Sequence, residues 1–273
     1  MTQSQFHVEE VSPSYWKVTF TNGDINLIDV DTVEQLADLV TRIEQAPELN
    51  VVVFRSSHPD FFMAHWDVLS DRARVAAMQP GPTGLHPYGD NLVRLGRVPP
   101  VTVTCVNGRA RGAGSEFVLA TDIRFAGPQA VLGQFEVGMG SVPGGNPMGR
   151  LTRLVGKARA MEILLGADDF PADLAAAYGY VNRVLPAGEL DGFVDAFARR
   201  VAGFDRVAVT EAKALVVASL PIPDEEPAAS LAAYFRTSGR PETADRMTRL
   251  LERGLQRADG AEVDLGRQVA DPR

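Results

Sequence analysis

The chain predicts an α/β core followed by an almost wholly helical C-terminal region. Three observations carry this expectation. Short runs rich in Val, Thr and Phe alternate with helical patterns through the first two thirds of the sequence. A Val- and Thr-rich strand, 101–106, runs straight into the glycine cluster Asn107-Gly108-Arg109-Ala110-Arg111-Gly112-Ala113-Gly114-Ser115-Glu116, which opens a helix. From residue 207 onward the pattern is helical, interrupted by a Pro-rich break at 221–227.

Taken in order, residues 8–20 read as a strand pair turning at Ser12-Pro13-Ser14, and Asn22-Gly23-Asp24 as a turn. Asp31 is placed to cap a helix reaching about Gln45, with Val33, Leu36, Leu39, Val40 and Ile43 on one face. Residues 51–56 form a buried strand and 57–65 a loop, after which Asp67 is expected to cap a short helix. Residues 79–87, dense in Gly and Pro, read as a flexible excursion, and 88–95 as a helix. Beyond the central strand an apolar helical run leads to a second glycine-rich stretch, 133–145, which carries Glu136. Helices follow at 148–155 and 157–165, then one from about 170 to Gly179, a short strand at 181–184 and a helix at 189–202. The polar stretch 259–273 has little periodicity and is expected to be a frayed or arm-like end. The resulting division is a core domain, 1–203, and a C-terminal helical region, 204–273.

Composition narrows the function. With 273 residues and 29.4 kDa, 45% hydrophobic and 23% charged, the chain has ample material for a core. A net charge of −8 argues against general binding to nucleic acid or anionic membrane. Cys105 is the only cysteine, so no intrachain disulfide can form, and inside an apolar strand it reads as a small buried hydrophobe. No leader-like or membrane-spanning run is evident, so a cytoplasmic protein is expected. His7, His58 and His86 show no ligand spacing, so no metal site is expected. The glycine runs fail the dinucleotide fingerprint at the third glycine, and no nucleophile elbow or phosphate-binding loop is present.

The chemistry concentrates on Glu116 and Glu136. A glycine turn feeding a helix leaves amide N–H groups without intrahelical partners, and they favour negative charge. Exposed amides beside two carboxylates point to acid/base chemistry on a carbonyl whose oxygen gains charge. Separately, each glutamate has a plainer reading: Glu116 as a first-turn acid favoured by the helix dipole, Glu136 as a solvated loop acid. Together, burial and proximity would push their pKa values apart, leaving one as acid and the other as base.

The segment Asn107-Gly108-x-Ala110-x-Gly112-Ala113-Gly114-Ser115-Glu116 resembles the N-G-x-A-x-G-G-G-x-E motif of the crotonase superfamily, the enoyl-CoA hydratases and isomerases. Glu136-Val137-x-x-Gly140-x-Val142-Pro143-Gly144 is similar to its E-I-x-x-G-x-x-P-G. Ala177-x-Gly179-x-Val181-Asn182-x-Val184 and Phe62-Met63-Ala64-His65-Trp66-Asp67-Val68 are similar to its downstream and upstream blocks. The resemblance implies a spiral of ββα units, with C-terminal helices that assemble a homotrimer or a dimer of trimers. It implies an acyl-CoA substrate, coenzyme A entering as part of that substrate and no tightly bound cofactor. Carried over by position, the backbone N–H groups of Trp66 and Ala113 form the oxyanion hole, and Ala64, His65, Gly112, Gly114 and Gly144 line the substrate site. Glu116 would activate water for attack at Cβ, and Glu136 would handle the proton at Cα.

The chain departs from that pattern at several positions. His65 stands where the family has a small glycine, so it and Trp66 are expected to be bulky at the pocket mouth, with His65 either lining the pocket or joining the chemistry. Asn22 to Leu27 replaces the family's usual basic segment. Phe135 and Thr121 replace a proline and a cysteine and read as structural. Asp67 reads as a helix cap, and Arg109 and Arg111 as either phosphate ligands or ion-pair partners. Double-bond isomerisation, C–C cleavage of a bulkier acyl-CoA or a non-CoA carbonyl compound, and a non-catalytic binding role remain open beside hydration.

Overall fold

The computed structural model describes residues 3–271. β1 (Phe6–Ser12) and β2 (Tyr15–Phe20) form an antiparallel hairpin, and α1 (Val30–Gln45) crosses to β3 (Val51–Ser56), which pairs with β2 in parallel. From there the chain repeats one device. A strand of a large sheet is followed by a short strand of a second sheet. Thus β3 leads to β4 (Phe61–Met63), β5 (Val101–Val106) to β6 (Arg109–Arg111), and β7 (Ile123–Ala126) to β8 (Val131–Gly133). Helices close each turn. They are α2 (Arg72–Ala77) and α3 (Pro87–Leu95), then α4 (Ala113–Ala120), then α5 (Glu136–Met139), α6 (Pro147–Val155) and α7 (Lys157–Gly166). With β9 (Phe170–Pro171) and β10 (Arg183–Val184), the sheets run β1-β2-β3-β5-β7-β10 and β4-β6-β8-β9. This is the expected spiral of ββα turns.

The large sheet is buried on both faces, which is why β3 reads as an unbroken apolar run rather than an alternation. Val52 and Phe54 face the main core with Val40, Ile43, Leu92 and Phe117. Val51 and Val53 face the other way, with Val103 and Cys105, under Val194 and Ala198 of α9 (Leu190–Ala202), the helix that follows α8 (Ala172–Tyr178). Burial pushes the Cys105 thiol up to about 12, so it remains an inert core thiol.

Several local expectations are corrected. The cap of α1 is Asp29: its carboxylate accepts the Thr32 N–H at 2.7 Å while Thr32 Oγ1 accepts the Asp29 N–H at 3.0 Å. Asp31 lies in the first turn and pairs with Arg74. Asp71, not Asp67, caps α2. The region expected to be a loop before His65 contains β4, and the apolar run after α4 contains β7 and β8 rather than more helix. These strands are three or four residues long, too short to show a period.

The C-terminal region continues with α10 (Arg206–Ser219), α11 (Glu225–Ser238) and α12 (Pro241–Glu252). No residue of α10 is buried, and Val207, Leu215 and Val216 project apolar surface. Residues 259–271, the described part of the stretch expected to fray, are ordered instead. A 3₁₀ turn, Ala261–Val263, and α13 (Leu265–Ala270) fold back so that Leu265 and Val269 pack on Phe135, Met139 and Ala167. The physical reason is apolar burial plus a buried ion pair at Glu262, described below. Among the described residues, no helix is long and apolar enough to cross a membrane.

Candidate active site

The site begins at the junction of β6 and α4. Gly112 has φ 48° and ψ −122°, a conformation open to glycine, and its N–H donates to the Gly133 carbonyl at 3.0 Å. A side chain here is excluded twice over, because a Cβ would lie 2.5 Å from Glu136 Oε1. The Glu136 carboxyl therefore lies over Gly112, one helical turn ahead of Glu116, whose N–H donates to the Gly112 carbonyl at 2.8 Å. That same first turn of α4 is drawn tightly onto β4: Gly114 packs against the Met63 carbonyl with no room for a Cβ.

Two backbone amides stand free beside these elements. Ile28 donates to the His65 carbonyl at 2.8 Å and accepts from Asp67 N–H at 2.7 Å, a parallel bridge that turns the Trp66 N–H away from Ile28. The Ala113 N–H opens α4 and so has no intrahelical acceptor. Among the described residues neither amide donates to a protein acceptor.

Glu116 and Glu136 are both buried, 2% and 7% exposed, yet their surroundings differ. Glu116 Oε1 accepts the Gly145 N–H at 2.7 Å, and Oε2 accepts the Tyr88 hydroxyl at 2.5 Å. Burial raises the Glu116 pKa, but these two hydrogen bonds and the charge of the half-buried Arg150 hold it back. Arg150 is lowered by burial to about 10 and so stays charged at neutral pH. Glu136 has less help. Its Oε2 has no partner among the described residues, and burial followed by the charge of Glu116 raises its pKa well above the usual carboxylate range. A proton held by the pair resides on Glu136, leaving Glu116 ionised. Burial and Glu116 also raise Tyr88, so the phenol keeps its proton and donates it.

The other expected site residues are placed less uniformly. Ala64 is fully buried among Ile25 and Phe61, with its N–H donated to Asn26 and its carbonyl accepting from Arg111. A Cβ at Gly144 would meet Leu231 and Tyr234 of α11 at ordinary contact distance, and the amide that reaches Glu116 belongs to Gly145. His65 does not crowd an open mouth. It is 1% exposed, edge-on to Phe135, with Nδ1 2.7 Å from the Trp66 carbonyl and Nε2 2.6 Å from Glu262 Oε1. Burial disfavours its charge, but the Glu262 carboxylate beside it reverses this and raises its pKa. Burial likewise opposes ionisation of Glu262, and His65 overcomes it, lowering its pKa.

Arg111 is not free for phosphate, being buried in a bidentate pair with Asp169, whereas Arg109 is partly exposed and bonds the Val263 carbonyl. In place of the expected basic segment stands a polar turn, in which the Asn26 amide donates to Ser56 and to the carbonyls of Phe61 and Phe62. Tyr88, Gly145 and Arg150 were not singled out by the sequence. Gly145 was discoverable as half of a Gly-Gly pair, whereas Tyr88 and Arg150 carry no local signal.

The family model for enoyl-CoA hydratase/isomerase matches residues 10–241. The chain belongs to that family. The crotonyl-CoA hydratase of Syntrophomonas wolfei is 33% identical over 192 residues, 70% of this chain and 72% of that protein. The short-chain-enoyl-CoA hydratase of Clostridium acetobutylicum is 30% identical over 190 residues, 69% of this chain and 72% of that protein. A crystal structure of a provisionally assigned enoyl-CoA hydratase from Streptomyces avermitilis superposes with a TM-score of 0.92 at 36% identity, covering 98% of each chain. This member of the enoyl-CoA hydratase/isomerase family is thus an enzyme with the crotonase fold, matched along nearly its whole length.

Proposed function

We propose that this enzyme adds water across the double bond of a short enoyl-CoA, or removes it in reverse, with Glu116 as base and Glu136 as acid. The observation that carries the reading is the asymmetry of two buried glutamates. Glu116 has both oxygens satisfied by Gly145 and Tyr88, whereas Glu136 keeps Oε2 unpartnered. In the forward direction the thioester carbonyl would accept the N–H groups of Trp66 and Ala113. Ionised Glu116 takes a proton from water as the water oxygen bonds to Cβ. The π electrons move toward Cα, and the charge gathered on the thioester oxygen is held by the two amides. Glu136 then delivers its proton to Cα, and proton exchange between the pair and solvent resets the site. Gly112 and Gly114 keep the backbone close enough for this packing.

The named hydratase relatives support the acyl-CoA substrate, with coenzyme A as part of it and no tightly bound cofactor. The apolar residues exposed on α10 support assembly through the region 204–273 into a homotrimer or a dimer of trimers. A cytoplasmic site of action accords with this reading. The test is turnover of crotonyl-CoA and longer enoyl-CoAs, followed by loss of the conjugated thioester absorbance. Glu116→Gln and Glu136→Gln are each expected to lower kcat by about 10²–10⁴-fold with folding intact. Near-normal turnover in either folded variant would falsify the assignment.

A further inference from the structure

His65 and Glu262 form a buried couple that lies outside the two-glutamate chemistry. The carbonyl of Trp66 can only accept, so His65 Nδ1 carries the proton that joins them at 2.7 Å. With that proton fixed, Nε2 faces Glu262 Oε1 at 2.6 Å, and the pair is an imidazolium–carboxylate couple shielded from water on both sides, 1% and 0% exposed. Glu262 is itself held. Its Oε1 accepts the Gln256 N–H at 2.8 Å, and its carbonyl accepts from Arg111 Nη1 at 2.9 Å. The groups facing the imidazole are therefore Glu262, the Arg111 cation and the Phe135 ring, with Asp169 neutralising Arg111.

The backbone of Trp66 is consequently pinned from both ends. Ile28 N–H grips the carbonyl of His65 in the peptide that carries the Trp66 N–H, and Ile28 carbonyl grips the Asp67 N–H of the following peptide. These two bonds fix one edge. The His65 imidazole supplies the missing hold on the Trp66 carbonyl at the other edge.

We infer that His65, clamped by Glu262 from the C-terminal segment, is a positioning residue: it fixes the peptide that follows Trp66 and, through the Trp66 Cα, steadies the preceding peptide whose N–H is aimed at the substrate carbonyl. This rests on the reading of Trp66 as an oxyanion donor given above. It gives the folded-back segment 255–270 a function besides covering the core. An oxyanion donor acts on charge that develops in the transition state, so a loosened peptide affects kcat more than KM.

The experiment compares two double variants by kcat and KM for crotonyl-CoA, with thermal unfolding as the fold control. His65→Leu with Glu262→Leu removes both charges together, so the fold is kept, because replacing a whole buried pair with apolar groups is commonly neutral or stabilising. It is expected to lose about 10- to 100-fold in kcat with KM within about threefold, less than the 10²–10³ typical of deleting an oxyanion donor outright. His65→Asn with Glu262→Gln is the rescue, because an Asn amide reaches the position of Nδ1 and can still donate to the Trp66 carbonyl. It is expected to keep kcat within about threefold of the parent.

Equal kcat in the parent and the Leu/Leu variant, both folded, overturns the positioning role while leaving the hydratase reading intact. Loss of kcat in both double variants alike also overturns it, since the Nδ1 bond would then not be the cause. Failure of the parent protein itself to hydrate any enoyl-CoA removes the underlying reading, and the inference falls with it.

Discussion

Replacing Tyr88 with phenylalanine isolates the bond that makes the two glutamates unequal. The hydroxyl donates to Glu116 Oε2 at 2.5 Å from a buried position, and its ring meets Trp66 edge-on at a centroid distance of 6.1 Å. Tyr88→Phe keeps that ring contact and removes only the donor. A hydrogen bond to a charged acceptor contributes about 1.5–3 kcal/mol. It favours the ionised form, so its loss makes Glu116 hold a proton more tightly. At about 1.4 kcal/mol per pH unit, the acid limb of kcat/KM is expected to move upward by roughly one to two pH units. The sign follows from the proposed role: as the base, Glu116 must be ionised to accept a proton from water, so activity that survives at low pH in the parent is lost first in the variant. At pH values well above the limb the loss is expected to be small. The assay is the pH dependence of crotonyl-CoA hydration between about pH 5 and 9, with circular dichroism to show the fold is kept. An unchanged acid limb would refute the claim that Tyr88 sets the charge of Glu116, and a downward shift would invert it.

Other consequences follow from the same contacts. A Cβ at Gly145 would lie 2.5 Å from Glu116 Oε2, so Gly145→Ala is expected to displace the carboxylate and lower kcat about 100-fold with little change in stability; activity within threefold of the parent would contradict the close approach. Arg111→Met removes two bonds to Asp169, at 2.6 and 2.7 Å, and one to the Glu262 carbonyl. Because Asp169 is partly solvated, the loss is expected near the lower end for a broken buried pair, about 3 kcal/mol, and a fall below 1 kcal/mol in urea unfolding would show that the network is weak. The His65–Glu262 couple gives a pH signature with two limbs. The His65 pKa is raised, so its contribution is complete below about 6.5 and is lost as pH rises through its folded value. The Glu262 pKa is lowered, so its contribution is complete above about 4.5 and is lost as pH falls through its folded value. The stability of the parent relative to the Leu/Leu variant should therefore peak between those values, and a pH-independent difference would show that the pair is not charged.

What the letters disclosed was what spacing along one segment determines. Gly112 must precede a helix and Glu116 must fall on its first turn, because four residues of chain leave no alternative once Ala113 is helical. Long-range partnerships were not legible. Arg109-Ala110-Arg111 reads as an exposed polar turn, yet it is β6, and Arg111 is buried because Asp169 meets it from 58 positions downstream. Phe61-Phe62-Met63 is apolar throughout, with no alternation to mark it as a strand of the second sheet. Asp31 reads as the cap of α1, but the cap is Asp29, two residues earlier, whose carboxylate also accepts from Gln5 and Asn22. The tail looked aperiodic because its apolar anchors, Ala261, Leu265 and Val269, are few and widely spaced, and because the buried Glu262 among them reads as a surface acid.

The same distinction bears on how the site divides its labour. Glu116 and Glu136 are chemically identical side chains, and their motif spacings do not say which keeps the proton. That is decided by the groups around each: the Tyr88 hydroxyl, on a helix formed before the central strand, the Gly145 N–H that ends the second glycine run, and the charge of Arg150, on the helix that follows it. Glu136 is denied equivalent donors and sits over Gly112, where a bare α-carbon offers it no hydrogen bond. In the proposed mechanism the acid and the base are thus separated by what surrounds each carboxyl rather than by what each carboxyl is. A chain carrying the same two glycine motifs with an apolar residue at the Tyr88 position would keep the constellation and weaken the order of proton transfer.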